Sequence, residues 1–236
     1  MVEVRRSPIL RTVPFLIAVC FVALPAHAKY SGGTGEPNDP YKIATAADLI
    51  ALGETPADYD KHFLLTADID LDPNLPGRRV FDRAVIAPDT YQKSADFEGT
   101  PFTGVFDGDG HTISNLTITG GSYLGLLGCL GRGEVKRLGI LDVNIVGSGN
   151  NVGGLVGRNH ESESTVTQCY SMGAVSGDSY VGGLVGLNCG TVTHCHSASS
   201  VSGDWAVGRA GGAQSRAVAA GGYCDAVLQH RCGQRQ

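Results

Sequence analysis

Five aspartates in the first half of the chain are the residues best suited to bind a cation. Asp68, Asp70 and Asp72 alternate along an apolar segment, and Asp107 and Asp109 each precede a glycine. Alternate residues of a strand point to the same face, so the first three carboxylates are expected to share one side. The five together could offer oxygen ligands to Ca²⁺. The alternative, a solvated strand face followed by a turn, is the prediction we adopt, with no cofactor.

The run His194-Cys195-His196 contains three residue types that bind transition metals. Neighbouring strand residues point to opposite faces, so the two histidines would share one face and Cys195 the other. The three side chains are therefore not expected to converge on one ion. Cys169 occupies the same repeat position as Cys195, which predicts two small apolar residues stacked in the core. A disulfide between neighbouring turns is the alternative.

Acids that could act in catalysis are scarce in the second half. Between residues 147 and 203 they are Glu161, Glu163 and Asp178. The two glutamates lie in an insertion and Asp178 lies at a Ser-Gly-Asp corner. Neither a His-Glu-x-x-His helix nor a Gly-x-Ser-x-Gly elbow occurs. We predict no catalytic, cofactor-binding or metal-binding residue, and we interpret the glycosylation-like Asn115-Leu-Thr117 as a turn followed by a strand.

The elements that hold these residues follow from a repeat. The hexapeptide Val-Gly-Gly-Leu-Val-Gly occurs at Val152–Gly157 and at Val181–Gly186. Each copy leads to Thr-Val-Thr-x-Cys-x-Ser, at 165–171 and 191–197, and a looser copy begins at Tyr123. The copies are 29 residues apart at the first valine and 26 apart at the cysteine, because an insertion follows the first hexapeptide.

A period of this length, built of short β-type segments and glycine, is typical of a solenoid. Glycine costs about 1 kcal/mol per position in a helix, which argues against a helical repeat. We predict a β-solenoid, with a repeat-built β-sandwich as the alternative. Gly182 and Gly183 are expected to turn the chain with positive φ. Val181 and either Leu184 or Val185 are expected to point into the core.

At these residues the chain resembles the GLUG motif of exported bacterial proteins. Tyr180–Gly203 is a close match, 151–177 matches with its insertion, and 122–149 matches loosely. Phe102–Ile118 and Phe63–Leu71 are similar to the lead-in that often precedes such arrays. The resemblance implies a right-handed parallel β-helix in a surface or adhesin-like protein, and the family is also associated with regions flanking IgA-cleaving metallopeptidases. It implies no catalytic residue, because no chemistry is assigned to the motif.

The region before the repeats, 29–120, is predicted to contain a short helix. Thr45 has the side chain of an N-cap, Asp48 follows three residues later, and Gly53 ends the pattern. Such a helix could cover the open edge of the first turn. Phe63–Leu71 is predicted to be one strand, and residues 77–99 a long irregular excursion. The Asp-Gly pairs after Phe106 predict a tight turn.

The N-terminus has the pattern of a secretory signal peptide at 1–28. Three arginines precede an apolar run of about a dozen residues, and Ala26-His27-Ala28 ends it. No later segment is long and apolar enough to predict a transmembrane helix. The segment carries three arginines and one glutamate, so its removal would change the net charge from −5 to −7. This acidic balance argues against nucleic acid as a partner.

The repeats are predicted to span 121–205 and to give way to an irregular tail at 206–236. Aliphatic periodicity stops there, and the tail holds four arginines against one aspartate. A divergent cap or disordered tail is one interpretation, and a shifted reading frame is the other.

Together these features predict a non-catalytic, exported β-solenoid that acts at the cell surface or outside the cell as a binding, adhesion or spacer module. The partner would be a glycan, a protein or a component of the cell envelope. The alternative is a polysaccharide lyase or glycosidase that uses acids of the lead-in region.

Overall fold

A computed structural model describes residues 29–91 and 96–208 of the 236-residue chain. Parallel strands stack in successive coils, with one short α helix, so the predicted β-solenoid is confirmed. The predicted signal peptide (1–28) and residues 209–236 of the predicted tail lie outside the described residues. Residues 206–208 belong to a strand, so the start of the tail at 206 was placed too early.

The predicted helix is confirmed as α1 (Ala46–Gly53). The Thr45 hydroxyl accepts a hydrogen bond from the Asp48 N–H at 3.1 Å, and the Asp48 carboxylate accepts one from the Thr45 N–H at 3.0 Å. This reciprocal pair is a capping box. Leu49 and Leu52 are fully buried in the main core, so the apolar face of the helix packs against it.

A short 3₁₀ helix (Pro56–Asp58) follows α1. The described residues contain nineteen strands: β1 (Tyr41–Ile43), β2 (His62–Leu65), β3 (Ile69–Asp70), β4 (Val105–Asp107), β5 (Thr112–Ser114), β6 (Thr117–Gly120), β7 (Leu127–Leu130), β8 (Glu134–Lys136), β9 (Gly139–Gly147), β10 (Val152–Gly153), β11 (Val156–Asn159), β12 (Thr165–Thr167), β13 (Tyr170–Ser176), β14 (Ser179–Gly182), β15 (Val185–Asn188), β16 (Thr191–Thr193), β17 (His196–Ser197), β18 (Ser200–Ser202) and β19 (Trp205–Gly208).

The strands form four parallel sheets along the solenoid. The first sheet has the order β1-β2-β4-β8-β12-β16, and the second has the order β3-β5-β9-β13-β17, with β6 and β18 also paired to it. Two three-stranded sheets, β7-β11-β15 and β10-β14-β19, complete each turn in the repeat region. Each strand pairs with its equivalent in the next coil.

The two matching hexapeptides lie in register on neighbouring coils. Val152 pairs with Val181, and Val156 pairs with Val185. The sequence left open whether Leu184 or Val185 points into the core. Both are fully buried in the structure. Like residues therefore stack on like residues, as the repeat predicts.

The core is a set of columns that run along the axis. In the first sheet, successive coils each contribute one inward-facing residue to the same column. These residues are Phe63, Phe106, Val135, Val166 and Val192. Its members change from aromatic to aliphatic as the repeats begin. Each buried aliphatic contributes about 1.5–3 kcal/mol.

The glycines of the hexapeptide are needed for a different reason from the one predicted. Residues with positive φ at this corner are Tyr123, Asn151 and Tyr180, and neither Gly182 nor Gly183 is among them. At Gly153 an added Cβ would lie 2.2 Å from the Val156 carbonyl oxygen, which no side chain can tolerate. The turn thus needs glycine because the backbone doubles back closely, not because it needs positive φ.

The lead-in departs from prediction in two places. Phe63–Leu71 is not one strand but β2 and β3, which belong to different sheets because the chain turns a corner between them. Residues 77–99 are not a loose excursion throughout. Phe81 and Ile86 form parallel bridges to Ile118 and Leu127 and are buried, so part of this segment occupies coil positions.

Candidate functional site

The aspartates proposed as calcium ligands are engaged by partners of their own. Arg137 donates to both oxygens of Asp107, at 2.9 and 2.6 Å, and lies 3.0 Å from Asp109. Burial raises the pKa of Asp107, but the hydrogen bonds from Arg137 and from the Asp109 N–H, with the charge of Arg137, together outweigh it, so the net pKa is lowered. A guanidinium therefore occupies the place where a cation would neutralise these carboxylates.

The other three aspartates are also separate. Asp68 lies in a corner, not in a strand, and accepts a hydrogen bond from the Thr112 N–H at 2.8 Å. Asp70 accepts one from Asn115 at 2.9 Å, and Asp72 accepts one from the Asn74 N–H at 2.9 Å. The described residues contain no group of three or more His, Cys, Asp or Glu side chains that could hold a metal ion. The calcium alternative has no site in this part of the chain.

The prediction that Cys195 and its two neighbouring histidines point to opposite sides is confirmed. Cys195 is buried, whereas both histidines are exposed. His194 points outward because it lies at a corner between β16 and β17, where its φ is 52°. His196 stacks on Tyr170 of the previous coil, with ring centroids 5.3 Å apart and planes 5° from parallel. The histidines thus belong to the outer surface.

Cys169 and Cys195 are stacked in the core as free thiols, as predicted. Cys129 is a third buried free thiol, and burial raises its pKa to about 12. A thiol with such a pKa is protonated at neutral pH and is a poor nucleophile.

Asn115 confirms the turn interpretation. It has φ of 58°, and its side-chain nitrogen is the donor to Asp70 described above. That nitrogen is the atom a glycan would occupy, so the structure uses it to hold a corner between β5 and β6.

The acids of the second half do not converge. Glu163 and Asp178 are exposed on different corners, and Glu161 lies 3.4 Å from the Nε2 atom of His160. Burial and the neighbouring Arg158 lower the pKa of His160. His160 is therefore neutral at pH 7.

A polar column inside the solenoid was not predicted from the sequence. The Asn159 side-chain nitrogen donates to the Asn188 oxygen at 2.7 Å, and the Ser164 hydroxyl donates to Asn159. All three side chains are buried. The signal was present, because each asparagine follows its hexapeptide at the same offset. Leu130 occupies the same column in the previous coil.

A cavity of about 280 Å³ lies where the end of α1 meets residues 79–88. Phe81 and Val85 contribute apolar lining. The charges at its rim are paired internally, since Arg79 lies 3.6 Å from Glu54 and stacks over Phe81, and Arg83 pairs with Asp82. No sequence pattern indicated this cavity.

One surface of consistent chemistry is the outer side of the last two coils that the structure describes. From 164 to 203 the only Asp, Glu, Lys or Arg is Asp178. On the first sheet Thr165 pairs with Thr191 and Thr167 pairs with Thr193. The Thr193 hydroxyl donates a hydrogen bond to the Thr167 hydroxyl at 3.1 Å. The second sheet adds outward side chains that are mostly polar or small, which are Tyr170, Ala174, Ser176, His196, Ser200 and Ser202, together with Met172, which is 44% exposed. We call this surface the polar face.

Comparisons with known proteins give relatives but no family. No family model matches the chain. It is 35% identical over 157 residues to Halomucin of Haloquadratum walsbyi, covering 65% of this chain and 2% of that protein. It is 33% identical over 144 residues to an Evansella cellulosilytica protein named as a Gly-rich membrane protein, covering 56% and 14%. The chain therefore spans a small part of each relative.

Among solved structures, the chain is similar to a Bacteroides ovatus protein named as an immunoglobulin A1 protease. The TM-score is 0.38 at 17% identity, covering 77% of this chain and 74% of that one. Within its described residues the chain has no helix with the length and hydropathy needed to cross a bilayer.

Proposed function

We propose that the chain is an exported, non-catalytic β-solenoid of the cell surface, and that its polar face binds neutral glycans. The GLUG-motif assignment belongs to this proposal. One relative is named as a membrane protein, which supports a surface location. The pattern at 1–28 supports export.

The observation that carries the proposal is the composition of the polar face. Hydroxyl columns of two coils lie side by side with almost no charge among them. Such a face offers donors and acceptors at the regular spacing of a parallel sheet, about 4.8 Å, and suits a partner that is itself polar and uncharged. A polyanion or a polycation would find no opposite charge there.

A polysaccharide lyase or glycosidase is the second candidate function. The lead-in aspartates that it would need are held by Arg137, Asn115 and the backbone of Thr112. The acids of the repeats lie on separate corners.

The proposal is tested by retention of the full chain on a panel of insoluble and immobilised neutral polysaccharides. Ser200→Lys places a charge in the centre of the polar face, and Ser162→Lys places the same charge at an exposed site in the insertion loop. We expect the first variant to lose retention at least tenfold and the second to keep it. Retention that is absent for the whole panel, or equal in the two variants, would contradict the proposal.

A further inference from the structure

Cys169 and Cys195 meet directly in the core of the last two coils. The flanking pairs Thr167–Thr193 and Tyr170–His196 are in register, so the cysteines lie opposite one another. The Cys169 N–H donates to the Cys195 sulfur at 3.4 Å. The Cys169 thiol donates to the Thr167 carbonyl oxygen at 3.2 Å, and the Cys195 thiol donates to the Thr193 carbonyl oxygen at 3.1 Å. The two cysteine side chains are therefore neighbours in the core.

The position also meets the main requirement for a covalent link. Opposite residues of neighbouring parallel strands have Cα atoms about 4.8 Å apart, and disulfides span Cα separations of about 4.4–6.8 Å. Both cysteines are free in this structure. We propose that they form a redox site, at which oxidation makes a disulfide that joins the two neighbouring coils.

The chemistry is thiol–disulfide exchange with a protein or small-molecule disulfide as the oxidant. One cysteine thiolate attacks the oxidant and displaces one thiol, which leaves a mixed disulfide. The other cysteine thiolate attacks the sulfur of the first cysteine in this mixed disulfide and displaces the second thiol of the oxidant. The pair gives up two protons and two electrons, and the oxidant becomes two thiols.

Cys169 and Cys195 are both at most 3% exposed, so exchange takes place when the coil opens or before it closes.

The coil that contains Cys195 has a less buried core than the coil that contains Cys169. Val192 and Val201 are half-buried, whereas their column neighbours Val166 and Val175 are at most 1% exposed. The disulfide would anchor this less covered coil to the one before it. Cys129 supplies an internal control, because its column neighbours are Arg158 and Leu187 rather than another cysteine.

The test uses the full chain refolded with oxidised glutathione and, in parallel, with a reductant. Free thiols are blocked with N-ethylmaleimide, and the non-reduced protein is cleaved before aspartates, which separates Cys169 from Cys195 at Asp178. We expect a cross-linked pair of peptides after oxidation, with Cys129 blocked. Fragmentation between Gly190 and His194 assigns the link to Cys195 rather than to Cys189.

A second measurement follows the stability of the same samples. The oxidised wild type should melt at a higher temperature than the reduced one. Cys195→Ala should narrow that difference while Cys129→Ala keeps it, because the disulfide of Cys189 is reduced in all three proteins alike. A β-rich circular dichroism spectrum with Cys169 and Cys195 both blocked after oxidation would overturn the proposal. A link from Cys169 to any other cysteine would also overturn it.

Discussion

The lead-in and the repeats build the same solenoid with different side chains. In one core column the lead-in contributes Phe63 and Phe106, and the repeats continue it with Val135 and Val166. The lead-in also has a helix with a specific cap and a set of paired charges on its surface. The stability of the lead-in depends on single large side chains. The stability of the repeats depends on smaller side chains that pack well because neighbouring coils have the same residue at the same position. The two regions should therefore fail in different ways when they are mutated.

The largest effect is expected in the repeats, at the close approach of the hexapeptide turn. In Gly153→Val the Cβ would clash with the carbonyl oxygen of Val156, and the neighbouring coil leaves no direction for relief. We expect a loss of about 4 kcal/mol or more in the free energy of unfolding. Chemical denaturation measures it.

Gly77→Asn is the matched control in the lead-in. Gly77 has φ of 74°, but an added Cβ there would meet no atom within 4 Å. Asparagine tolerates this region of φ, so the cost should stay within about 1 kcal/mol. Equal costs at the two glycines would show that crowding is not the reason that Gly153 must be glycine.

The second prediction compares one column on both sides of the boundary. Phe106→Ala should cost about 3–5 kcal/mol, because it opens a cavity beside the Phe63 ring. Val166→Ala in the repeats should cost about 2 kcal/mol, since it removes two methyl groups. The difference between the two unfolding free energies measures how unevenly the column is stabilised. A larger loss of unfolding free energy for Val166→Ala than for Phe106→Ala would contradict the view that the lead-in depends on single large side chains and the repeats on small repeated ones.

The sequence predicted the repeats better than the lead-in, for a physical reason. A repeated pattern is read twice, so the register of Val152 with Val181 follows from the letters alone. The lead-in is read once, and a corner between β2 and β3 leaves no signal that distinguishes it from a continuous apolar strand. The coil positions of Phe81 and Ile86 were missed because single bridges have no periodicity.

The candidate sites show the same limit. The orientation of Cys195 against its histidines could be predicted from local alternation, although at His194 the structure reaches it through a corner and not through a continuous strand. The capture of Asp107 by Arg137 could not, since the two residues are 30 apart and meet only when coils stack. The role of the repeat glycines was predicted wrongly because close approach depends on the neighbouring coil. Sequence shows which residues repeat, but not what each one touches.

The third prediction concerns the buried asparagine column of the repeats. Asn159→Ala should cost about 1–3 kcal/mol, because the Asn188 oxygen and the Ser164 hydroxyl each lose a buried partner. The double variant Asn159→Leu with Asn188→Leu should be less destabilised than this single variant, since Leu130 already shows that leucine fits the column. Unfolding midpoints of the two variants decide the point. A double variant that is weaker than the single one would mean that the column needs its amides for shape as well as for bonding.

The smallest effect is expected where the two regions meet on the surface. Arg137 of the repeats holds Asp107 of the lead-in, and the pair is partly exposed, so Arg137→Gln should cost within about 1 kcal/mol at neutral pH. The folded-state pKa of Asp107 is lowered, so the stability it contributes is present above the unfolded value near 3.8 and is lost as the pH falls through the folded value. The difference in unfolding free energy between the wild type and Arg137→Gln should therefore be constant at neutral pH and shrink below about pH 4. Lys42→Gln removes an exposed cation elsewhere in the lead-in and should show no such change. If the Arg137 difference persists unchanged into acid, the arginine holds the boundary by packing its alkyl chain and not by its charge.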